Sequence, residues 1–153
     1  MGESLRSRLT RWGFNLWPCI RGTGGRVTHI ASDWREIRIR LPLSWRTRNY
    51  VGTIFGGSLY GAVDPFYMLM LMKNLGPEYQ VWDKAATIRF RRPGRSLLTA
   101  TFRIDETELA EIRRLLDIQP KVDRTYTVQL VDAHGVAHAE VDKVIHISLR
   151  EPS

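Results

Sequence analysis

VGTIFGGSLYGAVDPFYMLMLM, residues Val51 to Met72, carries a single charge, Asp64, in 22 positions. That much apolar chain is long enough to span a bilayer, but its interior argues against that use. Gly52, Gly56, Gly57 and Gly61 loosen the first half, and Asp64-Pro65 puts a carboxylate and a helix breaker in the middle. A helix apolar on every side is instead one enclosed by its own fold. A sheet that curls around it covers all its faces, so the stretch predicts a buried central helix inside a wrapped sheet. Two starting points fit. If the helix begins at Asp64, the carboxylate is its N-cap and Pro65 its first residue. If it begins at Gly56, Pro65 lacks the N–H that would bond Gly61, and the helix kinks.

The flanks supply the strands. Upstream, a glycine-rich turn (Gly22 to Gly25) leads to Val27, His29 and Ala31, which alternate with Thr28, Ile30 and Ser32. Ile37, Ile39 and Leu41 alternate with charged residues as far as Pro42, and the two runs form a hairpin through Trp34 and Arg35. Downstream the helix stops at Gly76-Pro77. Ala86, Ile88 and Phe90 line the next strand, and Pro93-Gly94 turns it into Leu98, Ala100, Phe102 and Ile104. Residues 105–116 read as a helix, with Glu106, Glu108 and Glu111 towards its start and Arg113 and Arg114 at its end. Tyr126, Val128 and Leu130, and then Val141, Ile145, Ile147 and Leu149, mark two final strands. The expectation is an α+β fold in one domain over residues 1–153, with about six antiparallel strands around a central helix. The hotdog arrangement has this form, and on pattern alone it is one candidate among α+β folds.

The N-terminal segment, residues 1–17, repeats Leu5, Leu9, Trp12 and Leu16 at helical spacing, with Trp17 next. An amphipathic helix docked on the domain is the expected outcome, and one lying on a membrane surface is the alternative. Apolar residues make up 43% of the chain and charged residues 25%, a globular balance. The 23 Lys and Arg against 16 Asp and Glu leave a net charge of +7, which attracts anions. Basic residues interleaved with exposed aromatic platforms are not evident, nor is a nucleic-acid motif, so no nucleic-acid partner is expected. The single cysteine, Cys19, forms no internal disulfide, and the first seventeen residues do not read as a secretory signal, so a cytoplasmic protein is expected. His29, His134, His138 and His146 lack the spacing of a zinc site, so no metal or other cofactor is expected.

Asn49-Tyr50-Val51-Gly52-Thr53-Ile54-Phe55-Gly56-Gly57, with Asp64 seven residues on, resembles the signature of PaaI-like hotdog thioesterases. Their pattern is Asn, two residues, Gly, two residues, His, Gly-Gly, then an acid seven residues later, and Phe55 stands where they carry His. Ile88 to Gly94 is similar to the strand and Pro/Gly turn that follow in that family. Over Trp17 to Arg150 the chain is more similar still to the DUF4442 family, a hotdog branch with NYVGTIFGG and VDP.

Free amides at a helix N-terminus can stabilise the oxyanion formed when a thioester is attacked, and glycines let the substrate approach that backbone. By resemblance the Gly57 N–H is that donor, Asp64 the general base or nucleophile, and Asn49 the residue positioning the water or carbonyl from across a dimer interface. Each residue also has a plain structural reading: Asn49 bonding its own loop, Gly56-Gly57 easing a tight turn, and Asp64 capping a helix. Phe55, Gly56, Tyr60 and Met68 are the candidate acyl-binding residues. Arg91, Arg92 and Arg95, around the Pro93-Gly94 turn, are candidates for the phosphates of coenzyme A. The resemblance implies an acyl-CoA hydrolase acting as a homodimer, with pairing of dimers into a tetramer left open. The alternative is an acyl- or lipid-binding hotdog protein without catalysis.

Overall fold

The computed structural model describes residues 2–150. Helix α1 (Leu5–Leu16) starts at Ser4, where the Ser7 N–H donates to the Ser4 hydroxyl and the Ser4 N–H to the Ser7 hydroxyl. A short helix not foreseen in the sequence, α2 (Pro18–Thr23), follows with proline in its first turn. Gly24 ends it at φ 83, and a Cβ there would also lie 2.1 Å from a methyl of Thr47. Strands β1 (Arg26–Ile30) and β2 (Glu36–Leu41) form the expected hairpin. After them come α3 (Gly56–Gly61), α4 (Phe66–Leu75), β3 (Tyr79–Phe90), β4 (Leu98–Arg103), α5 (Glu106–Leu116), β5 (Lys121–Val131) and β6 (Ala137–Leu149).

The six strands make one antiparallel sheet in the order β1-β2-β4-β5-β6-β3. β4 and β5 share one registered pair, Thr99 with Val131, so they diverge along most of their length. The core face of the sheet (Ile37 and Ile39 of β2, Phe102 of β4, Val141 and Ile145 of β6) meets Phe66, Tyr67, Met70 and Leu71 of α4. Tyr67 stacks on Tyr126 at 4.8 Å and donates its hydroxyl to the Thr127 carbonyl, and burial pushes its phenol up to about 12. A curled sheet around a helical centre is the expected hotdog arrangement.

The centre differs in one respect. It is two helices, six and ten residues long, separated by the turn Ala62 to Pro65. The first starts at Gly56, and α4 has no side-chain cap, so Asp64 is not an N-cap. The proline ring and its missing N–H break the helix outright instead of kinking it. Nor is α4 enclosed all round, since Met72 is 42% exposed.

Helix α1 docks on β1, but with its polar side. The Asn15 side chain accepts from the Val27 N–H and donates to its carbonyl, and Glu3 accepts from the Ile30 N–H while paired to Arg11. These groups satisfy the open edge of β1. Phe14 meets Trp34 edge-on, and Ser7 is buried. The apolar stripe expected to face the domain therefore faces away from it.

Candidate active site

Asp64 lies in the turn between α3 and α4, where the broken helix leaves a side chain free to reach the sheet. Its Oδ1 accepts a hydrogen bond from Lys143 Nζ at 2.6 Å. Lys143 sits on the core face of β6 between Val141 and Ile145 and is 1% exposed. Its ammonium also reaches Asp83 Oδ1 at 3.0 Å and donates to the Tyr60 hydroxyl at 3.3 Å. A lysine ammonium has three N–H donors, and here three acceptors meet them. The Tyr60 ring lies 5.3 Å from the same ammonium.

Burial opposes charge on both Lys143 and Asp83, with different outcomes. For Lys143 the two carboxylates outweigh burial, so the ammonium keeps its proton to higher pH than an ordinary lysine. For Asp83 burial outweighs the lysine, and its carboxyl protonates at higher pH than an ordinary aspartate. Burial also pushes the Tyr60 phenol up, so its hydroxyl stays neutral.

Although its partner is sealed in the core, the Asp64 side chain is 41% exposed. It forms part of the wall of a cavity of about 380 Å³ between the first two helices and α4, with Phe14, Trp17, Ile20, Pro65 and Leu69. Carboxylate and apolar wall thus face one space. A larger depression, about 900 Å³, is lined by Trp82, Lys121 and His146 among others, and Asp64 is not part of its wall.

The first half of the motif sits elsewhere in the chain. Asn49 Oδ1 accepts from the Val51 and Thr53 N–H groups, and its Nδ2 donates to the Thr53 hydroxyl. Asn49 is therefore engaged in its own loop, the plainer of its two readings. Gly56 and Gly57 open α3, and among the described residues neither amide has an acceptor. The Phe55 ring rests on Gly57, and a Cβ there would push the ring aside. Asn49, Gly56, Arg91 and Arg92 line a second hollow, of about 400 Å³, together with Phe90 and the Pro93-Gly94 turn.

A family model described as a domain of unknown function, DUF4442, matches residues 6–147. The chain belongs to the DUF4442 family. No functionally curated protein matches it. Among solved structures, a Pseudomonas aeruginosa protein described as of unknown function and a probable thioesterase superposes with a TM-score of 0.84 at 18% identity, covering 98% of this chain and 99% of that one. A Haemophilus influenzae thioesterase gives 0.69 at 12% identity over 96% and 93% of the two chains. The E. coli PaaI protein from the phenylacetic acid degradation operon gives 0.60 at 18% identity over 92% and 95%. At such identities the likeness is one of fold, and it makes this DUF4442 protein a hotdog.

The remaining candidates in this DUF4442 chain divide by position. Tyr60 joins Asp64 through Lys143, whereas Met68 packs against the core and lines neither hollow. Arg91 pairs with Glu140, leaving Arg92 and Arg95 exposed with no acid within 4 Å among the described residues. The turn that carries these arginines is clamped by His138, which bonds the Pro93 carbonyl through Nδ1 and Asp132 through Nε2. Sequence reading missed Lys143 and Asp83. One signal was present: Lys143 falls on the same alternation as Val141, Ile145 and Ile147, so it is a charge at a core position.

Proposed function

We propose that this DUF4442 protein hydrolyses acyl thioesters, with coenzyme A thioesters the first class to test, and that Asp64 activates the water. One observation carries the reading: Asp64 is a half-exposed carboxylate on the wall of an apolar cavity, gripped by a buried lysine and not spent on a helix cap. In the step itself, water attacks the thioester carbon as Asp64 takes its proton. The carbonyl becomes an oxyanion, the C–S bond breaks on its collapse, and the departing thiolate takes the proton back from Asp64. The Gly57 N–H is the candidate oxyanion donor.

Gly57 opens α3 and Asp64 lies past its other end, in the turn after Gly61, and the two line no hollow in common, so within one chain they do not converge on one carbonyl. A second copy is needed to bring them together. β3 supports such a dimer: it is an edge strand of twelve residues, with Phe90 60% exposed beside the Gly56 hollow. Arg91 and Arg92 at that hollow suit the phosphates of coenzyme A.

Two observations favour a second reading, an acyl binder without hydrolysis. The Phe55 ring rests against Gly57, and Asn49 is held in its loop. A series of acyl-CoA chain lengths, assayed for free thiol, separates the two. The parent is expected to turn over, and Asp64→Asn to lose about 10²–10⁴-fold with its melting temperature retained. Equal rates in parent and variant would remove Asp64 from the chemistry. Saturable binding with no thiol released would establish the second reading.

A further inference from the structure

We propose that α1 is a membrane-docking helix that seats the protein on an anionic lipid surface. An amphipathic helix docked on a domain ordinarily buries its apolar stripe. Here β1 takes the polar side, because its open backbone groups need Asn15 and Glu3. What faces water is Leu5 at 78% exposure, Leu9 at 73%, Trp12 at 61% and Leu16 at 66%. At about 100° per residue these four share one face, and Trp17 carries the patch past the helix end at 60% exposure. The stripe is too regular to be scattered surface apolarity.

Charge selects the occupant. Helix α1 contains Arg6, Arg8 and Arg11 and no acid. Arg11 is bound to Glu3, but Arg6 and Arg8 lie on either side of the stripe, and no acid comes within 4 Å of them among the described residues. Near the end of α2, Arg21, Arg26 and Arg46 gather around a small hollow beside Trp45, which is 87% exposed with the Arg46 guanidinium 5.8 Å from its ring centroid. A second copy presenting this face would set arginine against arginine. An anionic bilayer offers both things the face asks for: acyl chains beneath the leucines, and headgroup phosphates for the arginines, with tryptophans at the level between. The docking does not depend on the thioesterase reading. Because Trp17 belongs both to the patch and to the wall of the Asp64 cavity, docking would set that cavity close to the lipid.

The test is co-sedimentation of the full chain with vesicles of phosphatidylcholine alone and of phosphatidylcholine with phosphatidylglycerol, at low and high salt. Binding is expected to the anionic vesicles and to weaken with salt. Charge reversal in the double variant Arg6→Glu/Arg8→Glu should weaken it by about fivefold or more per arginine. Leu9→Glu/Trp12→Glu should abolish it, with the melting temperature unchanged because both side chains are exposed. Leu5→Gln/Leu16→Gln provides a milder second variant should the first fail to fold. Four results would each overturn the proposal: no binding to anionic vesicles at low salt, equal binding to phosphatidylcholine alone, binding indifferent to the apolar variants, or a fall in native mass in those variants. The last would show that the stripe seals one copy to another.

Discussion

At the scale of single residues, the centre of the molecule is organised by a lysine in the core. Its three hydrogen-bond acceptors come from the helix break, the edge strand and α3. The energetics are asymmetric, because Lys143 is sealed while both acids reach solvent. Removing the lysine leaves carboxylates that water can reach, whereas removing both acids strands a buried cation. Lys143→Met, which fills similar space, is therefore expected to cost about 1 kcal/mol or less, and Asp64→Asn/Asp83→Asn about 3–5 kcal/mol. Urea unfolding of the two variants measures the difference, and the opposite order would refute the asymmetry. Asp64→Asn alone should fold, since Asp83 still faces the ammonium. The motif drew attention to Asp64 in the sequence, but its partner lay 79 residues away. Local patterns carry no record of such a pairing, although a lysine on a core alternation is a trace of it.

At the scale of elements, most strands could be read in the sequence, and the errors have a common physical cause. β3 was recognised from Ala86 onward, yet it begins at Tyr79. A register shift between Asp83 and Ala85 exchanges the two faces: Val81 and Asp83 pair across from core residues of β6 before it, and Ala86 and Ile88 do so after it. An alternation that changes phase in mid-strand looks like two unrelated fragments. β1 has a similar shift between Val27 and His29, which is why both its faces looked apolar. The N-terminal helix was correct in existence and wrong in orientation, because hydrophobic periodicity cannot register that a neighbouring strand edge needs polar groups. Helix α5 was read correctly, and it invites two tests. Asp105 caps it by accepting from the Glu108 N–H at 2.8 Å, so Asp105→Ala should cost about 1 kcal/mol in urea unfolding. Burial would raise the Glu108 carboxyl, but Arg124 and the Tyr126 hydroxyl outweigh it and hold it below the usual range. A depressed carboxyl stabilises the fold above its unfolded pKa, near 4.3, and loses that contribution as pH falls through the folded value. Stability should therefore drop on acidification below about pH 4, and a Glu108→Gln variant should show a flatter acid limb in thermal melts.

At the scale of the whole molecule, the edge strand β3 is the expected meeting place of two copies. A native mass of twice 17.7 kDa is expected, and Phe90→Asp should yield a monomer that also loses any thioester turnover. A monomer with full turnover would remove the need for a second chain. The strand order has a consequence for synthesis. Among the described residues β3 is held in the sheet through β6 alone, the last strand to be made among them, which also brings the ammonium for both acids. Until Ala137 to Leu149 is made, β3 has no strand to pair with and β5 has only its single registered pair with β4. The nascent polypeptide then carries two aspartates awaiting their counter-charge and a ribbon of unmated backbone open to chaperones or to other growing chains. A premature stop codon before Lys143 would give an opened molecule, not a shortened one, and proteolytic quality control would meet it as such.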